Sequence, residues 1–223
     1  GEPVAFGFGK VEALFIYLVF KKSATRNELA GVLWGSKDDA TAKKNLRNAL
    51  YELRKSFPGA EDAFIVERDS VRFSPRAEFD LDVDRFLAEP DNVDLYRGAF
   101  LDNLYVKDAD EFEGWVADTR ESLRARYRER LSTLIERAKA RESWGEVERC
   151  ARLLIKEDRL DESAYRELLR ALSMEGRYNE GLGLYDELAE ALDAELHVLP
   201  DEQTERALSE LLRPRQRAGR AAR

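Results

Sequence analysis

The chain has one cysteine, one histidine and one methionine in 223 residues, and no apolar run approaches the length of a membrane span. A lone Cys150 excludes an internal disulfide and fits a reducing compartment. With a single His and a single Cys no metal-spaced ligand set exists. No Gly-rich phosphate loop follows a strand, and no GxSxG motif is present. No catalytic residue, metal or cofactor is therefore expected. The most apolar stretch, Val11 to Phe20, is flanked by charges and suits a buried core helix. No membrane partner is expected, and without a signal-peptide layout a cytoplasmic location is. His197 lies in a Leu/Val-rich break and reads as structural, and Cys150 reads as a small core residue.

What is present is charge, unevenly distributed. The formal net charge is −8. Residues 1–90 hold 14 Lys+Arg against 15 Asp+Glu, residues 91–212 hold 18 against 30, and the last eleven residues hold five Arg and no acid. An acidic protein can still bind DNA where its basic charge is local. Such a locality exists at Ala42–Phe57. There Ala42, Leu46, Ala49, Leu50, Leu53 and Phe57 form the apolar stripe of a core-facing helix. The opposite face carries Lys44, Arg47, Asn48, Tyr51 and Lys55, with Lys43 and Arg54 at its edge and Glu52 the only acid. Cations attract phosphates, and Arg, Asn and Tyr also hydrogen-bond or stack on bases. The alternative is an ordinary solvated face, so the neighbours must decide.

Those neighbours have an order. Val4, Phe6 and Phe8 alternate as in a short strand, and the Val11–Phe20 helix follows. Thr25 and Glu28 form a capping box that opens a second helix ending near Gly35. The basic helix comes next, stopped by Pro58 and Gly59. Phe64–Glu67 and Val71–Phe73 then bracket a turn, which reads as a hairpin. Helix, helix, helix, hairpin is the order of a winged helix-turn-helix. Leu81 and Val83 alternate with Asp80, Asp82 and Asp84, which reads as a strand from Phe79 with its acids facing solvent. From about Asp110 to Arg141 one or two long amphipathic helices are expected. Beyond them Trp144 and Tyr178, Leu134 and Leu168, Glu146 and Glu180, Ala151 and Tyr185, and Leu154 and Leu188 are each 34 apart, the tetratricopeptide period. Pro200 breaks the helices between Ala194 and Thr204, and a last helix spans about Glu202 to Leu212. The expected fold is mainly α with a small β component. It comprises a winged helix over 1–90, an all-α tetratricopeptide-like repeat domain over 91–212, and a disordered Arg-rich tail over 213–223.

These residues resemble a family. Segments "ALFIYLVF", "TRNELAGVLWGSKDDATAKKNLRNALYELRK", "LYRGAFLDNL", "EFEGWVADTRESLRARY" and "ELHVLPDEQT", together with the repeat, are similar to bacterial transcriptional regulators of the antibiotic regulatory protein type. These pair a response-regulator-type winged helix with a helical bacterial transcriptional activation domain, and the resemblance covers roughly residues 10–212. It implies an activator that binds double-stranded promoter DNA sequence-specifically, usually at direct repeats, where a homodimer is one arrangement. It also implies contacts with RNA polymerase or a sigma factor. Two features depart from the pattern. Only about one strand precedes the first helix, so with Gly in place of Met at position 1 the DNA-binding domain is expected to be short or trimmed at its N-terminus. Arg159 stands where members often carry Pro, which implies a looser repeat turn.

In a winged helix-turn-helix the third helix enters the major groove and the hairpin lies over the adjacent minor groove or backbone. Lys44, Arg47, Asn48 and Tyr51 are then expected to face DNA, Arg47 suited to guanine and Asn48 to adenine. Lys43, Arg54 and Lys55 are placed for phosphates, and Arg68 and Arg72 of the hairpin for backbone or minor groove. Thr25 and Arg26 would offer N–H groups and charge to a phosphate. The acidic helical half has two readings, a docking surface for partner or second protomer, or a stabilising module. A rival reading of the whole chain is a helical-repeat interaction adaptor whose winged helix does not bind DNA.

Overall fold

The computed structural model describes residues 6–56, 59–74, 77 and 80–221, with side chains at all of these except 60, 61 and 214–221. The chain packs as two units. The first comprises Gly1–Ala88 with Leu95–Arg124, and the second Glu89–Asp94 with Ala125–Arg223. Leu95–Arg124, beyond a cut at residue 90, therefore packs with the N-terminal residues.

In the first unit, α1 (Gly9–Lys21) buries Val11, Leu14 and Leu18. A short strand β1 (Ser23–Thr25) leads into α2 (Arg26–Trp34), and α3 (Asp39–Leu53) follows. The single turn α4 (Ala60–Ala63) precedes β2 (Phe64–Val66) and β3 (Ser70–Phe73). The antiparallel sheet has the order β1-β3-β2, with Ala24 opposite Val71 and Phe64 opposite Phe73. This is the expected winged helix-turn-helix, with the β2–β3 hairpin as its wing. Its third strand, β1, lies between α1 and α2 and was not expected. Ser-Ala-Thr offers one buried residue and no visible alternation, so only pairing with β3 makes it a strand.

Two local expectations change. Phe6 to Phe8 is not a strand. Phe8 is the N-cap of α1 and the Phe6 ring packs 5.3 Å from Phe15, while Val4 lies outside the described residues. The residues from Asp82 on are helical rather than extended. α5 (Asp82–Ala88) places Asp82 and Asp84 in its first turn, where carboxylates favour the N-terminal end of the dipole. Asp84 pairs with Lys22 at 2.8 Å. Phe79 lies outside the described residues.

The core of the unit extends well past α5. Val106, Ala109, Phe112 and Val116 are buried in the same cluster as α1, α2 and α3. Trp115 is its aromatic hub, with ring centroids 4.8 Å from Tyr17, 5.3 Å from Phe20, 5.4 Å from Phe112 and 5.8 Å from Phe100. Arg120 Nε and Nη2 donate to the Phe100 and Leu101 carbonyls at 3.0 and 3.1 Å, holding the preceding loop down. Phe112, Trp115 and Arg120 sit on α6 (Asp110–Ala140), which is one continuous helix.

The second unit holds the rest of α6 and α7 (Trp144–Glu157), α8 (Glu162–Met174), α9 (Tyr178–Leu196) and α10 (Glu202–Ala221). Trp144 and Tyr178 each open a helix, so the 34-residue period is the repeat of a helix pair. Cys150 is fully buried, and burial pushes its thiol pKa up. The turn at Arg159 is tied rather than loose. Leu160 N donates to Asp158 Oδ1 at 3.0 Å, and Arg159 pairs with Glu195. His197 is exposed and caps α9 in a left-handed conformation, φ 56°. α10 continues through Ala221, beyond Pro214 where a disordered tail was expected. Arg, Gln and Ala there have high helix propensity.

Gly181 of α9 shows how closely α10 docks. A Cβ at Gly181 would stand 2.7 and 2.9 Å from the two methyls of Leu211, itself fully buried. Overpacking of about 1–3 kcal/mol outweighs the roughly 1 kcal/mol propensity gain of alanine. Gly181→Ala is thus expected to lower the urea midpoint of unfolding, and an unchanged midpoint would contradict this packing.

Candidate nucleic-acid interface

The candidate site is assembled from α2, α3 and the wing. α3 begins at Asp39, earlier than expected, because the Asp38 side chain accepts from Thr41 N at 3.0 Å. Those Thr41 hydrogen bonds hold the Asp38 carboxyl below its usual pKa. The helix ends at Leu53, Arg54 is its C-cap, and Lys55 and Ser56 continue as a turn. Phe57 and Pro58 lie outside the described residues. Ala42, Leu46, Ala49, Leu50 and Leu53 are buried, while Lys43, Lys44, Arg47, Asn48, Tyr51, Arg54 and Lys55 are exposed. Burial of the stripe thus fixes which way the basic face points.

α2 is tied at its start to both neighbours. The Thr25 hydroxyl accepts from Glu28 N at 3.1 Å, and Glu28 Oε2 accepts from Thr25 N at 3.4 Å, which completes the capping box. Tyr17 of α1 donates to Glu28 Oε1 at 2.8 Å, and burial pushes the Tyr17 phenol well up. Arg26 N donates to Asp69 O at 2.9 Å, and its Nε donates to Glu67 O at 3.1 Å. The backbone N–H groups of Thr25 and Arg26 are therefore already used within the chain. Thr25 serves as a cap, and only the outer guanidinium nitrogens of Arg26 remain for another partner.

The expected cations separate into engaged and unengaged groups. Arg72 Nε lies 3.2 Å from Glu67 Oε1, and Ser70 Oγ donates to Glu67 Oε2 at 2.9 Å. The Ser70 hydroxyl and the Arg72 guanidinium hold the Glu67 carboxyl below its usual pKa. Lys43 pairs with Asp39 at 2.8 Å, and Lys55 donates to the Tyr51 hydroxyl while lying 3.8 Å from its ring centroid. Among the described residues Lys44, Arg47, Arg54 and Arg68 make no ion pair. Arg26, Arg47 and Arg54 line one cleft of about 180 Å³ with Leu50, Tyr51 and Val66.

Glu67 is not singled out by the sequence pattern of the basic helix and hairpin. Its signal was an acid flanking the hairpin turn with Ser70 and Arg72 just across it. The i, i+4 pair of Asp39 and Lys43 was equally visible.

Residues 83–212 match the family described as bacterial transcriptional activator domain. A solved structure, Mycobacterium tuberculosis EmbR in complex with low affinity phosphopeptide, resembles the chain with a TM-score of 0.66 and 20% sequence identity. The match covers 96% of this chain and 62% of that one, so this chain spans less than two thirds of its length. At that identity the likeness is one of fold, a winged helix followed by a helical domain. No curated protein matches the chain. Among the described residues no helix is long and apolar enough to cross a membrane.

Proposed function

Since the chain belongs to the bacterial transcriptional activator domain family, we propose that it is a cytoplasmic transcriptional activator that binds promoter DNA sequence-specifically. In this reading α3 enters the major groove and the wing lies over the adjacent minor groove or backbone. Lys44, Arg47, Asn48 and Tyr51 face the bases, and Arg54, Lys55 and Arg68 the phosphates. The helical repeat docks RNA polymerase or its sigma factor, with two protomers on direct repeats. The observation that carries the reading is the exposed face of α3, on which Glu52 is the only acid beyond the first-turn Asp39, on a helix whose other face is locked in the core.

Selection of bound fragments from genomic DNA, followed by mobility shifts across a salt series, tests it. A regulator favours particular fragments by orders of magnitude at moderate salt. Equal binding of all fragments would return the chain to the adaptor reading.

The wing supplies a sharper expectation. Because Glu67 already neutralises Arg72, Arg72→Ala should change duplex affinity by no more than about twofold, the scale of a surface ion pair. Arg68→Ala should weaken binding more and lower the salt slope by about one. A larger loss for Arg72→Ala than for Arg68→Ala would show that DNA displaces Glu67.

A further inference from the structure

The cleft shared by α2, α3 and the wing has an unusual lining. Arg26, Arg47 and Arg54 all line it, Leu50 and Val66 supply apolar surface beside Tyr51, and among the described residues no carboxylate side chain lines it. Like charges gathered without a counter-ion repel one another, so the arrangement gains most when an anion enters. The arginines are not equally mobile. Arg26 is fixed by its Nε to Glu67 O and its backbone N–H to Asp69 O, and it follows directly on the capping residue Thr25. Both bonds come from the wing turn. This leaves the outer nitrogens of Arg26 as a pre-oriented fork, whereas Arg54 projects from the end of α3 with no ion pair among the described residues.

We propose that this cleft is a seat for one backbone phosphate of duplex DNA, gripped jointly by Arg26 and Arg54, with Arg47 forming its wall on the groove side. The proposal rests on the duplex binding proposed above and adds that two cations from different helices share a single phosphate. Glu67 is a positioning residue here, and it acts through its main-chain carbonyl. A shared phosphate fixes the distance between the start of α2 and the end of α3 relative to the DNA strand, and so sets the depth to which α3 enters the groove. The apolar surface of Leu50 and Val66 is suited to the face of the deoxyribose beside that phosphate.

The test uses the full chain and a labelled random-sequence duplex, with binding followed by fluorescence anisotropy over a salt series. Arg26→Ala and Arg54→Ala are each expected to weaken binding roughly three- to tenfold. The double variant should lose little more than the weaker single, with the salt slope reduced by about one in total. Lys44→Ala, outside the cleft, should combine additively with either. Arg26→Gln keeps an amide donor for Glu67 O and repeats the cycle if Arg26→Ala loosens the wing.

Additive losses with a slope reduced by about two would mean separate phosphates and overturn the seat, as would unchanged binding in both singles. Inorganic phosphate at matched ionic strength that displaces the duplex from the unsubstituted chain, but not from the double variant, would reassign the cleft to a free anion and overturn the duplex assignment. Failure of the unsubstituted chain to bind any duplex would remove the proposed function and the seat together. Additivity in a chain that does bind removes the seat alone.

Discussion

A fragment ending at residue 90 is expected to show no cooperative unfolding transition, whereas one ending at residue 124 melts as a folded domain. The shorter fragment keeps every element of the winged helix but loses Val106, Ala109, Phe112, Trp115 and Val116, which close the core over α1, α2 and α3. Phe112 is fully buried, and Phe112→Ala alone should cost about 3–5 kcal/mol. Small domains have only about 5–15 kcal/mol in total. Removing that residue with the Trp115 ring cluster and the loop clamped by Arg120 takes away more than such a domain can lose. Lys10 makes the same point in polar terms. Its Nζ donates to the Leu33 carbonyl at 2.6 Å and the Asp108 carbonyl at 2.5 Å, so truncation strips Lys10 of α1 of one of its two acceptors. Circular dichroism melts of the two fragments, with the Trp34 fluorescence as a second probe, decide the matter. A sharp transition in the shorter fragment at the temperature of the longer one would show that the 95–124 packing is dispensable.

The second large effect is expected at Arg47. Reversing its charge, Arg47→Glu, places a carboxylate on the face of α3 proposed to meet DNA and beside the three-arginine cleft, and binding to any duplex should fall below detection at physiological salt. The neutral change Arg47→Ala is the more informative. If Arg47 forks onto a base edge, its loss removes about 1–3 kcal/mol of discrimination on the selected fragment, while affinity for random DNA falls by only a few-fold. Competition titrations of both DNAs against each variant separate the two. Equal losses on the selected and the random duplex would make Arg47 a phosphate contact and leave Asn48 and Lys44 as the base readers. Neither substitution should alter the melting temperature by more than a surface change does, because Arg47 is exposed and makes no ion pair among the described residues.

Taken alone, the sequence determined what depends on neighbours a few residues apart. The apolar stripe of α3 and its basic face follow from a 3.6-residue period, the Thr25–Glu28 box from a cap spacing, and the α7 and α9 starts from a 34-residue repeat. The first two are settled by hydrogen bonds or packing within one or two helical turns and the third by a period that recurs along the chain, so each pattern is written in the spacing of residues. Tertiary structure decided the rest. β1 is a strand only because β3 lies beside it, Arg72 is neutralised only because the hairpin folds Glu67 onto it, and three arginines share a cleft only because α2, α3 and the wing meet there. Above all, the closure of the N-terminal core by Phe112 and Trp115 joins residues about a hundred positions from α1. Such contacts depend on which apolar surfaces remain uncovered once the local elements have formed. No spacing along the chain encodes that.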